Sequence, residues 1–352
     1  MTSGSTPSYE EIELGLRRGW FPVASVQQLD SPQRADLLGE SLVVFRDGDG
    51  RAAVTGRRCV HRGGDLSLGR IVDGSIECPY HGWRYGGDGV CSAIPSLEDP
   101  SKIPANARVP SYPAVERFGL VWTCLGDPVT DPPELPELDD LEIEYRATAP
   151  FDTQAGLLHA LENFRDVAHF PFVHRQSMGE VATTVPALEV RSEGFETWMR
   201  HDFSASAGAN ELYHDKEHVV MDYHAVAPSL ATNLLDHGEG GHRVVIEAFC
   251  PISARGGCRI WVVSGTAKDY TASTPEEALE AEFTVVSEDM LMLESVSPPE
   301  VPLHNEAPHA SVPADRYTMA SRHAYLAFIR HALDSDRATN GAVATNQAAS
   351  TQ

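Results

Sequence analysis

Positive charge is scarce in this chain. Its 352 residues carry 27 Lys and Arg against 51 Asp and Glu, a formal net charge of −24. Such a surface repels phosphate backbones and anionic headgroups, which argues against nucleic acid and membrane surfaces as partners. The same excess of acid keeps a protein soluble and can orient a basic partner. Cysteine is scarce too, with six residues. Cys91, Cys124, Cys250 and Cys258 sit in ordinary apolar or strand-like contexts. They read as reduced core cysteines of a cytoplasmic protein, not as a disulfide framework. No run of about 18 apolar residues and no N-terminal apolar stretch occurs, so neither a membrane span nor a signal peptide is expected. No internal repeat and no glycine-rich dinucleotide fingerprint is present.

What remains is a chain with 42% hydrophobic residues and 24 prolines, long enough for two cores. Residues 1–9 are small and polar and read as disordered within an N-terminal segment, 1–19. From Trp20 to about residue 127 the pattern is β-rich. Leu42–Phe45 and Ala52–Val54 flank Asp47-Gly48-Asp49-Gly50, a hairpin signal, and 119–125 is a further strand. A proline-rich connector, 128–137, marks the boundary. A second domain, 138–333, opens with a helix over Leu157–His169 that Pro171 stops. Alternating strands follow at about 195–203, 218–226, 243–250 and 258–266. Thr274-Pro275-Glu276-Glu277 combines an N-cap, a proline at the first helical position and a capping-box Glu, so a helix is expected to run to about Val296. A last amphipathic helix covers about 314–333, and the tail, 334–352, reads as disordered.

Two short motifs carry chemistry in the first domain. Cys59-x-His61 is followed after sixteen residues by Cys78-x-x-His81. A [2Fe–2S] centre of the Rieske kind takes two thiolates on one iron and two imidazoles on the other, which raises its potential above that of all-thiolate clusters. Structural zinc uses the same residue types, but usually as C-x₂₋₄-C and H-x₃₋₅-H halves, whereas each half here mixes one Cys with one His. Gly63, Gly64, Gly82, Gly86 and Gly87 flank the halves, as tight loops over a compact centre require.

Such a cluster moves only single electrons, so the second domain should hold the chemistry. Asp166 and His169 are three apart on the expected helix, and His174 lies beyond the proline. Two imidazoles and a carboxylate make the facial triad of non-haem Fe(II). Asp289 is the physical choice for the carboxylate. It falls between Val286 and Leu293 on an apolar face that also includes Leu279, Phe283 and Met290. There a metal would offset the cost of a buried charge. The alternative is a hydrated Asp289 at the edge of the stripe, with Glu288 beside it on the surface.

These motifs, over about residues 20–330, resemble the Rieske non-haem iron oxygenases. The chain is similar to the α-subunit-only type, which includes vanillate and dicamba O-demethylases and natural-product hydroxylases. The family pattern N-x₂-D-x₂-H-x₄-H with a distant Asp matches Asn163, Asp166, His169, His174 and Asp289. The resemblance implies an α+β architecture: a Rieske β-domain joined to a helix-grip catalytic domain of antiparallel sheet and helices, in a homotrimer. It implies a [2Fe–2S] cluster on Cys59, His61, Cys78 and His81, and mononuclear Fe(II) on His169, His174 and Asp289. Asp166 is then the carboxylate that links His169 to His81 of a neighbouring subunit, and Asn163 faces the iron. Electrons come from NAD(P)H through a separate reductase, with or without a ferredoxin. The implied reaction is O₂-dependent hydroxylation of a C–H bond, or the equivalent O- or N-dealkylation, of a small organic molecule. Oxidative cyclisation and ring cis-dihydroxylation belong to the same class. An electron carrier would need only about the first 130 residues and no triad. A zinc-stabilised binding module would be colourless.

Leu158, Val173, Met290 and Leu293 adjoin the ligands in sequence, and Asn233, His237, Phe249 and Trp261 are strand contributions to a substrate pocket. Each is equally well plain core. His214-x-x-Glu217-His218 matches a zinc-protease signature, but it runs into an alternating strand pattern where a helix is needed. His237-x₄-His242 repeats the His169/His174 spacing among glycines and reads as a turn. Glu162 reads as an ordinary acid on a helix surface.

Overall fold

The structure, a computed structural model, describes residues 6–203, 219–253, 255–303 and 309–349. Helix α1 (Tyr9–Leu16) comes first, started by a capping box between Ser8 and Glu11. Residues 6–9 are thus part of the fold, contrary to the disorder expected for 1–9. The Ser8-x-x-Glu11 spacing is the signal for this start.

Eleven strands follow: β1 (Phe21–Ser25), β2 (Gln33–Leu37), β3 (Glu40–Arg46), β4 (Ala52–Gly56), β5 (Arg70–Val72), β6 (Ser75–Glu77), β7 (Arg84–Tyr85), β8 (Cys91–Ala93), β9 (Ser111–Tyr112), β10 (Ala114–Arg117) and β11 (Leu120–Thr123). They form three small antiparallel sheets, β1-β11-β10, β2-β3-β4-β9 and β5-β6-β7-β8. The Asp47–Gly50 turn joins β3 to β4, as the dipeptide signals require.

The second domain is one antiparallel sheet. Its strands are β12 (Ile143–Ala147), β13 (Phe151–Thr153), β14 (Val190–Glu193), β15 (Glu196–Phe203), β16 (Val219–Val226), β17 (Leu230–Asp236), β18 (His242–Pro251) and β19 (Cys258–Ala267). Their order is β12-β19-β18-β17-β16-β15-β14, with β13 also on β19. Helices α2 (Leu157–Asn163), α3 (Phe170–Val173), α4 (Pro275–Leu293) and α5 (Arg316–Ala349) complete the chain. The four expected strands and the two long helices are present.

Strand alternation sorts the sheet residues into two cores. Met221, Leu235, Val245, Phe249 and Val262 pack with Val285, Val286 and Leu293 of α4 on one face. Leu230, Val244, Ile246, Ala248, Trp261 and Val263 face the other way, onto Trp20, Leu120 and Trp122 of the first domain. Leu135 of the connector and Leu138 just after it are sealed into that second core. Trp20 Nε1 donates to Thr130 O at 3.0 Å, and Ser229 Oγ to Trp20 O at 2.6 Å. Each buried aliphatic side chain is worth about 1.5–3 kcal/mol, so the two domains share one interior.

Three expectations about helices need correction. The helix from Leu157 ends at Asn163, because the Asp166 carboxylate accepts from Ala168 N at 2.8 Å and turns the chain. Asp166 therefore lies in the turn and not on a helix face. Pro171 does not stop that helix. It sits in the first turn of α3, where its missing N–H costs nothing. Helix α5 continues past Asp334 to Ala349, where a disordered tail was expected. Arg18 pins the helix around this point by donating to Ala332 O and to the Asp336 carboxylate.

Candidate active site

The two cluster loops are built alike. Cys59 N bonds Gly64 O and Gly63 N bonds Cys59 O; Cys78 N bonds Trp83 O and Gly82 N bonds Cys78 O. Gly63 and Gly82 both stand at φ +71, the left-handed region that closes each turn. Both cysteines are buried in a third core with Leu66, Ile76 and Tyr85. The Tyr85 hydroxyl meets Cys59 Sγ at 3.1 Å. Burial raises the pKa of Cys78, with Cys59 adding to it, against backbone bonds from Tyr80 and His81 that favour the thiolate. A metal deprotonates such a thiol outright. His61 and His81 lie side by side, ring centroids 4.4 Å apart, and His61 stacks on Trp83 at 4.6 Å. His61 Nδ1 is buried without a partner among the described residues. Its pKa is lowered by burial, then by His81 and Arg62, which keeps a free lone pair on the ring. Two buried thiols and a buried orphan imidazole nitrogen fit the mixed-ligand cluster. The His81 edge stays exposed.

The second constellation converges more tightly. His169 Nε2 and His174 Nε2 are 3.0 Å apart, and each is 3.3 Å from Asp289 Oδ1. Around one ion with bonds of about 2.0–2.2 Å, ligands at right angles stand about 3.0 Å apart, so the donor set fits a facial triad. The outer nitrogens are engaged as well: His169 Nδ1 with Asp166 Oδ2 at 3.3 Å and His174 Nδ1 with Glu288 Oε2 at 2.9 Å. With the Nδ1 protons donated outward, both Nε2 lone pairs point at a carboxylate oxygen, an arrangement that calls for a cation. Burial opposes a proton on His169, but the bonds and charges of Asp166 and Asp289 prevail and push it up to about 9. Burial likewise opposes charge on Asp289, yet its bonds to His169 and His174 hold it below the usual carboxylate range. The potential that draws a proton to this point also draws a divalent cation.

Local structure explains the convergence. Thr274 accepts from Glu277 N and Glu277 from Thr274 N, the expected capping box, which starts α4. Its buried stripe runs Ala278, Glu282, Val285, Val286, Asp289, Leu293, with Phe283 exposed and Leu279 and Met290 only half-buried. Asp289 is thus central to the stripe, not at its edge, and α4 ends at Leu293 instead of Val296. Asn163, at the end of α2, donates to Asp289 Oδ1 at 3.3 Å, so it steadies the carboxylate.

Two residues read as surface acids are structural partners. Glu288 accepts from Ser177 Oγ at 2.6 Å as well as from His174, and so orients a ligand. Glu162 is paired through both oxygens with Arg322, at 2.5 and 2.6 Å. Their i−1 and i−4 offsets from Asp289 and Asp166 place them near the site, but nothing in the sequence names His174 or Arg322 as partners.

A small cavity beside the triad is lined by Asn233 among others. Trp261 lies on the opposite face of the sheet, in the core between the domains. Phe249 and Leu158 pack in the main core, Phe249 against Phe164 at 5.5 Å. Leu293 lines an outer cleft with Asp166, and Val173 and Met290 are half-buried away from the cavity wall. His237 is buried beside Tyr270 ahead of the Gly238–Gly240 turn, and His242 pairs with Asp269 at 2.8 Å. The His214–His218 motif lies outside the described residues.

Residues 19–113 match the Rieske [2Fe–2S] domain family, and residues 153–330 match the vanillate O-demethylase oxygenase C-terminal domain family. The chain belongs to the Rieske non-haem iron oxygenases. Methylxanthine N1-demethylase NdmA of Pseudomonas putida is 27% identical over 325 residues, 87% of either chain. Chlorophyllide a oxygenase of Chlamydomonas reinhardtii is 38% identical over 171 residues, 47% of this chain and 25% of that one. The chain spans between 25% and 54% of the length of the first curated relatives it matches. The structure of NdmA with caffeine superposes with a TM-score of 0.76 at 23% identity, over 92% of this chain and 96% of that one. Dicamba monooxygenase bound to dicamba gives 0.74 at 21%, over 91% and 99%. At these identities the likeness to solved structures is one of fold. No helix of this Rieske oxygenase is long and apolar enough to cross a membrane, among the described residues.

Proposed function

We propose that this Rieske oxygenase is an O₂-dependent monooxygenase that hydroxylates a C–H bond, or oxidatively removes an O- or N-methyl group, in a small organic substrate. The observation that carries the reading is the convergence of His169 Nε2, His174 Nε2 and Asp289 Oδ1 within 3.3 Å of one another. Iron bound there would supply the activation of O₂. The chain's own residues do the rest. Glu288 and Asp166 fix the two imidazole rings by accepting from their Nδ1 atoms, and Asn163 orients the third ligand. Met178, Val285 and Val286 keep water from the inner side of the triad.

Electrons reach the cluster from NAD(P)H through a separate reductase, with or without a ferredoxin; the chain has no dinucleotide fingerprint of its own. Asp166 is only half-buried and lies on an open cleft, and the His81 ring is exposed. These two surfaces suit contact between neighbouring copies in a homotrimer, where Asp166 would accept from His81 of the next subunit. Six unpaired cysteines, all buried, suit the cytoplasm.

The test uses protein whose cluster has been reduced without oxygen and is then mixed with O₂. Wild type should re-oxidise its cluster through the triad. Asp166→Asn should keep iron and cluster colour but re-oxidise far more slowly, as should His169→Ala. Equal rates in all three would make the protein an electron carrier and overturn the oxygenase reading.

A further inference from the structure

The cavity beside the triad is too small for any organic substrate. It measures about 50 Å³, well below the roughly 150 Å³ in which an engineered protein cavity takes up benzene. A wall must therefore move. Strands β16, β17 and β18 supply Met221, Leu235 and Val245, and each of these strands is paired on both sides. Met221 is held further by the Tyr223 hydroxyl, which donates to its sulfur at 3.3 Å. Val285 and Val286 belong to the 19-residue helix α4. Phe164 packs on Phe249 at 5.5 Å, and Phe170 packs on both triad imidazoles, at 5.0 and 5.7 Å. What is left of the apolar wall, among the described residues, is Met178.

Met178 is 4% exposed and sits on a single turn, closed by Met178 N donating to His174 O at 2.7 Å. Arg175 and Gln176 on that turn are exposed, whereas Ser177 and Met178 are buried, so the wall here is one turn thick. The turn ends at Gly179, φ +71, and from 179 to 189 the chain forms neither helix nor strand. A segment without a ladder of backbone bonds opens readily. Ser177 pins it to the body of the domain. Its Oγ donates to Glu288 Oε2 at 2.6 Å, the short distance of a bond to a charged acceptor. The same oxygen accepts from His174 Nδ1 at 2.9 Å. One carboxylate oxygen on α4 thus holds both a cavity wall and a triad ligand. Off Glu288, the Ser177 hydroxyl still has His174 O, 3.4 Å away in its own turn, so opening leaves no orphan donor.

Resting on the oxygenase reading, we propose that the turn 175–178 is the gate to the triad: a substrate enters by displacing Met178, and the Ser177–Glu288 bond is the latch. With the gate open, Glu288 is left to His174 alone. It then polarises that imidazole N–H more strongly, which raises the ring's basicity as a ligand. Occupancy of the cavity is in this way felt at the iron site.

All six native cysteines are buried, so a thiol placed in the wall can be timed with methyl methanethiosulfonate and read by mass, on protein carrying cluster and iron. Met178→Cys is compared with Val245→Cys, which lines the same cavity at the same 4% exposure but from within the sheet. The thiol from Met178→Cys should react at least about tenfold faster. Adding Ser177→Ala should speed it a further 10- to 100-fold or about that, the effect of losing a bond to a charged acceptor, and should leave the Val245→Cys rate unchanged. Equal rates for the two thiols would overturn the gate. No change on adding Ser177→Ala, or an equal rise at both positions, would overturn the latch, the second by showing a general loosening of the fold. Iron analysis of the same samples separates this proposal from the reading it rests on. Folded wild type without triad iron would sink the oxygenase reading, while the order of labelling alone decides the gate.

Discussion

Both candidate metal centres use two histidines, yet they are built by opposite means. The residues proposed to hold the cluster come from two loops within 23 residues of one another, Cys59 to His81, each closed by the same backbone bonds and a left-handed glycine. The triad joins a turn after α2 to the C-terminal part of α4, 120 residues apart from His169 to Asp289. The cluster leaves His81 at the surface, whereas His174 and Asp289 are 1% and 2% exposed. A centre that passes electrons needs an open edge, and a centre that handles a reactive oxidant needs to be closed to water. The difference also separates their vulnerabilities. One depends on loop geometry and the other on packing between distant elements.

The sharpest way to break the comparison is to remove one ligand from each side. His169→Ala should lose the triad iron and all turnover while the visible absorbance of the cluster persists, measured by iron analysis and optical spectra of one sample. Cys78→Ser should do the reverse, losing colour and labile sulfide but keeping triad iron. Loss of both centres in either variant would mean that they do not form independently. Glu288→Ala leaves every ligand in place but frees the His174 ring, and should weaken iron binding about 10- to 100-fold in chelator competition. An unchanged affinity would remove Glu288 from the account. The smallest effect is expected from Gly82→Ala. At φ +71, and with Pro95 Cγ 2.9 Å from the added carbon, it should cost about 1–3 kcal/mol of loop stability. Thermal bleaching of the cluster at a lower temperature, with iron retained, would show it.

This contrast also governs what could be read from sequence. The Rieske domain is legible because the Cys59–His61 and Cys78–His81 loops and their turn glycines are local. The pairing of His169 with His174 is legible for the same reason, five residues apart. Asp289 could be reached only by asking why a carboxylate interrupts an apolar helix face. In sequence that face reads one residue off, through Leu279, Phe283 and Met290, because Glu282 and Asp289 belong to the buried stripe and hide its period. Glu288 and Glu162 escaped because each is explained by a partner more than 100 residues away, His174 and Arg322. Strand β17, Leu-Ala-Thr-Asn-Leu-Leu-Asp, is not legible as a strand for a related reason. Both its faces are covered, so it lacks clean alternation. Of the two readings open for Trp261, pocket or plain core, its register opposite Ala248 gives core, turned toward the first domain.

The central claim is that one chain holds both a Rieske cluster and a separate iron on His169, His174 and Asp289. Iron, zinc and acid-labile sulfide per chain, on protein purified without oxygen, test it most directly. The account predicts about three irons and two sulfides, two irons from the cluster and one from the triad. Two irons and two sulfides that stay unchanged after incubation with Fe(II), or zinc without sulfide, would contradict it.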